Sequence, residues 1–155
     1  MKFIIAENIC TLFGLGKISK MPGTLGSIVG IFIGLVILYF CTIKVFSVIL
    51  IVLIIISLYS IYIYQIKVGK NDKSEIIIDE VVGQLLVMPF IHLNYIEVIL
   101  AFILFRFFDI FKFFPANIID KRYSNYFGVL FDDIIAASQA ILLIYLFEIT
   151  YDRFF

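Results

Sequence analysis

Residues 25–66 read LGSIVGIFIGLVILYFCTI, then Lys44, then VFSVILIVLIIISLYSIYIYQI: two uncharged runs parted by one charge. Each run is close to the ~20 apolar residues that carry a helix across the hydrocarbon core. They predict a helical hairpin of two membrane spans, 25–43 and 45–66, joined by a very short turn. Within the first, Gly26, Gly30 and Gly34 recur every four residues. That spacing puts small residues on one face, where a helix of this chain or of another copy can approach closely.

Outward from the hairpin the pattern continues. Residues 67–75 are polar; apolar character returns over 81–90, breaks around Pro89, His92 and Asn94, and resumes over 96–108. These two segments are short for full crossings and predict a dipping hairpin or two tilted helices. A last apolar run, 134–147, predicts a C-terminal span. The expected fold is therefore an all-α integral membrane bundle, one domain over residues 1–155. Composition agrees: 63% of the 155 residues are hydrophobic and 15% charged, with mean hydropathy +1.13. Such a chain cannot clothe a small soluble domain in polar surface.

Alternating crossings place residues 2–24, 67–80 and 106–133 on one side of the membrane. That side holds ten of the twelve Lys and Arg residues, and an excess of Lys and Arg marks the cytoplasmic face. Net charge is zero, which points to no nucleic-acid partner. Cys10 and Cys41 lack metal-type spacing and read as buried free thiols. Nor does the start read as a signal peptide, since Glu7 interrupts the first apolar residues.

In so apolar a chain the remaining charges are informative. Asp79 and Glu80 stand at the mouth of one apolar segment, Arg106, Asp109 and Lys112 near the end of another, and Asp132 and Asp133 at the start of the last helix. All lie on the predicted cytoplasmic side or at its boundary with lipid, where an unpaired charge is costly. Arg106 and Asp109, three apart, share a helix face with each other and with Lys112 or Phe113. Gly128, Asp132, Ala136 and Ala140 step by four, so a neighbouring helix can bring its carboxylates close. Gathered carboxylates call for a counter-cation, and an all-oxygen ligand set favours Mg²⁺ or Mn²⁺ over Zn²⁺. For any single pair, a solvated rim or an ion pair is an equal alternative; three clusters with an arginine favour function. A third element is the glycine-rich entry to the first span. There Gly23, Thr24, Gly26 and Ser27, with Lys17 and Lys20 nearby, form a helix N-terminus suited to phosphate, and Thr24 or Ser27 is a candidate cap. Taken alone, an ordinary helix entry explains it as well.

Several chemistries fail on inventory. No Walker loop follows Gly16 and Lys17, and Ser19 breaks the dinucleotide pattern begun by Gly14 and Gly16. No arginine stands six positions after a cysteine, and no Asp-x-Asp pair occurs. The single histidine, His92, falls in the far-side turn, away from the acids, which argues against a histidine nucleophile or zinc triad. Carboxylate-and-metal chemistry on a phosphoryl group at the membrane surface survives. A small ion or proton transporter subunit and a non-catalytic assembly factor are the rival classes.

In this order the motifs resemble the phosphatidylglycerophosphatase A family. They are Gly14-x-Gly16, Pro22-Gly-Thr-x-Gly-Ser27, Asp79-Glu-x-x-Gly83, Phe105-Arg-x-x-Asp-x-x-Lys112, Pro115, Asp120 and Gly128-x-x-x-Asp132-Asp133. Three departures are Ser19 for a usual proline, Phe113 for the first proline of Lys-Pro-aromatic-Pro, and a single Gly128 before the last acids. The resemblance implies hydrolysis of phosphatidylglycerophosphate in the bilayer to phosphatidylglycerol and phosphate, with Mg²⁺, at the bacterial inner membrane. It also implies Asp79, Glu80, Asp109, Asp132 and Asp133 as the functional acids. Arg106 and Lys112 are expected to stabilise the phosphoryl group. A phosphatase of another lipid phosphate remains the nearest alternative.

Overall fold

A computed structural model of the protein describes residues 1–69, 74–118, 123 and 125–154, the last four of these by backbone alone. Lys70, Asn71, Asp72, Lys73, Asp120, Lys121 and Arg122, which carry part of the charge pattern above, lie outside the described residues. The described chain is all helical: α1 Lys2–Cys10, α2 Leu15–Ile18, α3 Pro22–Phe40, α4 Ile43–Val68, α5 Ile78–Val87, a 3-10 turn Met88–Phe90, α6 Tyr95–Phe111 and α7 Tyr126–Phe154.

Three helices are long and apolar enough to cross a membrane, within Pro22–Phe40, Ile43–Val68 and Tyr126–Thr150. Their outer faces carry exposed Phe32, Ile51, Ile55, Tyr145 and Phe147, an apolar coat suited to lipid. The hairpin is confirmed with its turn shifted. Pro22 opens α3 at a position that needs no N–H, so the span ends at Phe40, and Cys41 and Thr42 make the turn. Lys44 lies in the first turn of α4. The last helix begins eight residues earlier than its apolar run. Asp132 and Asp133 therefore sit within α7, almost two turns past its start, instead of opening it.

The dipping hairpin is asymmetric. Helix α5 has 10 residues, about 15 Å at 1.5 Å per residue, roughly half of the ~30 Å hydrocarbon core. It packs chiefly against α3 on one side and α7 on the other, and most of its residues are buried. The glycine face of α3 makes the first contact possible. A Cβ at Gly26 would lie 2.8 Å from the Ile77 carbonyl oxygen, and one at Gly30 2.9 Å from Gln84 Cβ. That face is filled from within the chain, so it is closed to a second copy. On the other side, buried Ala136, Ala137 and Ala140 of α7 pack with Val87 of α5 and with Ala101 and Phe105 of α6.

Helix α6 is seven residues longer than α5 and runs back to the same end. Asn94 caps it, accepting from the Glu97 N–H at 2.9 Å while donating to the Glu97 carboxylate at 2.7 Å. This reciprocal pair satisfies an open helix end. His92 N–H also donates to that carboxylate, so the histidine sits in the turn beside Glu97 and Glu148, apart from Asp79, Glu80 and Asp133.

Helix α1 was not foreseen. It packs on α4 through stacked Phe3 and Tyr64 rings and Lys67 over the Phe3 ring. Gly14 then turns the chain with left-handed backbone, φ 91, and Gly16 abuts the backbone at Glu75. Cys10 is buried, which pushes its thiol up to about 12. Cys41 is half-buried in the opposite turn. An impermeant maleimide added to intact cells is thus expected to label Cys41 and leave Cys10 unmodified. Protection of Cys41 until the membrane is opened would overturn this arrangement.

Candidate functional site

The site forms where α3, α5, α6 and α7 bring one end each to the same level. Asp79 and Glu80 occupy the first turn of α5, where the helix dipole favours negative charge. Asp79, Glu80 and Asp133 each offer an oxygen within 4.8 Å of the others. Asp109, Glu80 and Asp132 are the charges that face Asp133. All five predicted acids thus gather from three helices, and Asp79, Asp132 and Asp133 are buried.

The close approach has a steric cause. A Cβ at Gly83 would lie 2.6 Å from the Phe105 ring and 3.3 Å from Asp133 Cβ. Only glycine there lets α6 and α7 reach α5 together. Arg106 follows Phe105 and spans two acids: it forms an ion pair with Asp109, with which the three-residue spacing predicted a shared helix face, and its Nη1 lies 3.9 Å from Glu80 Oε1.

Lys112 behaves differently from the expectation. It does not extend the Arg106–Asp109 face, because α6 ends at this residue in left-handed backbone, φ 43. The reversal sends its side chain across to an ion pair with Asp132. A few residues on, Gln139 of α7 donates from Nε2 to the Phe114 carbonyl at 2.8 Å, tying this turn to α7.

The glycine-rich entry divides into two. Gly23 belongs to the site. A Cβ there would overlap Glu80 Oε1 and stand 2.9 Å from both terminal nitrogens of Arg106. The α3 N-terminus is therefore held against the arginine. Gly26 lies one turn on, against Ile77 and Glu80. Neither Thr24 nor Ser27 caps α3, contrary to expectation, since the helix starts at Pro22 and both fall inside it. Ser27 Oγ donates to the Gly23 carbonyl at 3.0 Å. Lys17 stands apart: it pairs with Glu7, which holds its ammonium proton and raises its pKa through that hydrogen bond.

With all five ionised, the carboxylates would outnumber the two cations, Arg106 and Lys112, by three charges. Two unit charges ~4 Å apart cost about 4 kcal/mol at an effective dielectric of ~20. Glu80 Oε2, Asp133 Oδ2 and Arg106 Nε are buried without a hydrogen-bond partner among the described residues. Unspent acceptors and an all-oxygen donor set from several helices fit a hard divalent cation.

Gln84 was missed. It is fully buried on α5, and neither its Nε2 nor its Oε1 has a partner among the described residues. The signal was available, because Gln84 is the one polar side chain in the apolar run 81–90.

Comparison with known proteins bears on this arrangement. The family model described as Phosphatidylglycerophosphatase A matches residues 8–148. A protein of Haemophilus influenzae (strain ATCC 51907 / DSM 11121 / KW20 / Rd) named Phosphatidylglycerophosphatase A is 34% identical over 134 residues. The match covers 86% of this chain and 82% of that protein. No solved structure matches the chain.

Proposed function

The chain belongs to the phosphatidylglycerophosphatase A family, and from that premise we propose that its five gathered acids bind Mg²⁺ and form the phosphatase centre. The protein converts phosphatidylglycerophosphate to phosphatidylglycerol in phospholipid synthesis. The observation that carries the proposal is the convergence of Asp79, Glu80, Asp109, Asp132 and Asp133 with Arg106 and Lys112 at one end of the bundle. Bound to these acids, Mg²⁺ supplies charge neutralisation at the phosphomonoester and activation of the attacking group.

The chain's own residues do the rest. Arg106, held between Glu80 and Asp109, presents a fixed fork of donors to the phosphoryl oxygens, where this chemistry most needs stabilisation. Lys112, turned in by the end of α6, adds a second cation from the α7 side. Gly23 keeps the α3 N-terminus beside the arginine, so two backbone N–H groups near that end are open to the phosphate. The diacyl chains stay in the bilayer against the apolar helices, and only the head group enters. The excess of Lys and Arg at this end of the bundle supports a centre facing the cytoplasm, and the bacterial relative supports an inner-membrane location.

Phosphate release from phosphatidylglycerophosphate by the purified protein in detergent tests this reading. Activity is expected to vanish in excess chelator and to return with Mg²⁺ or Mn²⁺. Full turnover in chelator would remove the metal from the proposal while leaving the reaction in place.

A further inference from the structure

The buried amide of Gln84 lies one turn along α5 from Glu80, about 6 Å deeper towards the bilayer centre at 1.5 Å per residue. Its stem runs along α3 at Gly30, where a Cβ would stand 2.9 Å from Gln84 Cβ and 3.3 Å from Cγ. Glu80 meets the same helix at Gly23 and Gly26, so the two side chains share one face of α5. A buried amide with neither donor nor acceptor engaged is costly. A helix core built only to pack would carry Leu or Met at this place. Below a phosphate-handling centre, the polar group is explained by a polar partner that arrives with the substrate.

The substrate has such a group. Its phosphomonoester is joined through a glycerol, bearing one free hydroxyl, to the phosphodiester of the lipid. A molecule whose monoester reaches the acids and whose tails stay in the bilayer must run its glycerol and diester along the deeper side of the centre. We propose that Gln84 is a specificity-determining residue that reads this linker. Nε2 donates to a phosphodiester oxygen and Oε1 accepts from the glycerol hydroxyl. Gln84 thereby separates phosphatidylglycerophosphate from phosphatidate, whose phosphomonoester is attached directly to the diacylglycerol. This rests on the phosphatase reading above.

The test is Gln84→Met, similar in length and volume but without donor or acceptor. Steady-state KM and kcat for phosphatidylglycerophosphate, and the Ki of phosphatidate as competitor, are measured in mixed micelles for wild type and variant. KM is expected to rise about tenfold, the scale of one or two lost buried hydrogen bonds. The kcat is expected to stay within about twofold, and the Ki of phosphatidate to be unchanged. Thermal stability should hold or improve, because an unmet amide has been removed. An unchanged KM, a parallel shift in KM and Ki, or a fall in kcat with lowered melting would each overturn the proposal. Wild-type protein inactive on phosphatidylglycerophosphate would instead sink the phosphatase reading, an outcome visible without the variant.

Discussion

Asp133→Asn protein is expected to insert, fold and melt no lower than wild type, yet to release phosphate at least ~10³-fold more slowly, the upper end of what one electrostatic group contributes. The two effects have opposite causes. Asp133 is 4% exposed and faces Asp109, Glu80 and Asp132, so the metal-free folded protein, in which melting is compared, bears the cost of burying this carboxyl among like charges. Asparagine keeps the shape against Gly83 and removes that cost. Stability is therefore retained or increased, while the oxygen that completes the Asp79–Glu80–Asp133 group is lost. Asp79→Asn and Asp132→Asn should behave alike in rate. Melting curves in detergent, read beside initial rates, separate a lost functional group from a damaged fold, in which both quantities fall. Wild-type turnover in Asp79→Asn and Asp132→Asn together would sink the assignment of the acids.

The second large effect comes from a single methyl group. Gly23→Ala is expected to lower the rate about 10²-fold, as an ångström-scale displacement of a catalytic group does. Alanine is intrinsically the better helix former by about 1 kcal/mol, so α3 itself is not weakened. The added carbon instead overlaps Glu80 Oε1 and stands 2.9 Å from Arg106 Nη1 and Nη2. One of these side chains must leave, and the Glu80–Arg106 contact opens. Rates measured on variant protein with unchanged gel-filtration behaviour check the point. An undiminished rate would show that the arginine's position against α3 is unimportant.

The membrane hairpin and the clustering of the acids on one side were legible in the sequence because lipid imposes simple rules. Uncharged runs of sufficient length cross, and charges beside them need a reason. Spacing also placed Arg106 and Asp109 correctly on one helix face, since both lie within one helix. What local pattern could not supply were contacts between distant segments. The packing of α1 depends on Phe3 meeting Tyr64 and Lys67. The inward turn of Lys112 depends on Asp132, a helix away, together with a left-handed backbone at a residue that usually avoids it. The start of α7 was missed because Asp132 and Asp133 separate its apolar first six residues from the longer apolar run without ending the helix. Lys17, grouped with the glycine-rich entry by proximity in sequence, is instead drawn to Glu7.

The half-length of α5 bears on how the protein is made. Ten residues, two of them acidic and one an amide, are too few and too polar to be recognised as a membrane segment by length and hydrophobicity. Helix α5 packs between two walls, and one of them, α7, is synthesised after it. The α3–α4 hairpin is made before α5, and the other side of α5 is covered only by α7. Asp79 and Glu80 therefore cannot meet Asp132 and Asp133 until α7 has been made, and a chain cut short before α7 is expected to insert its hairpin without gathering these acids.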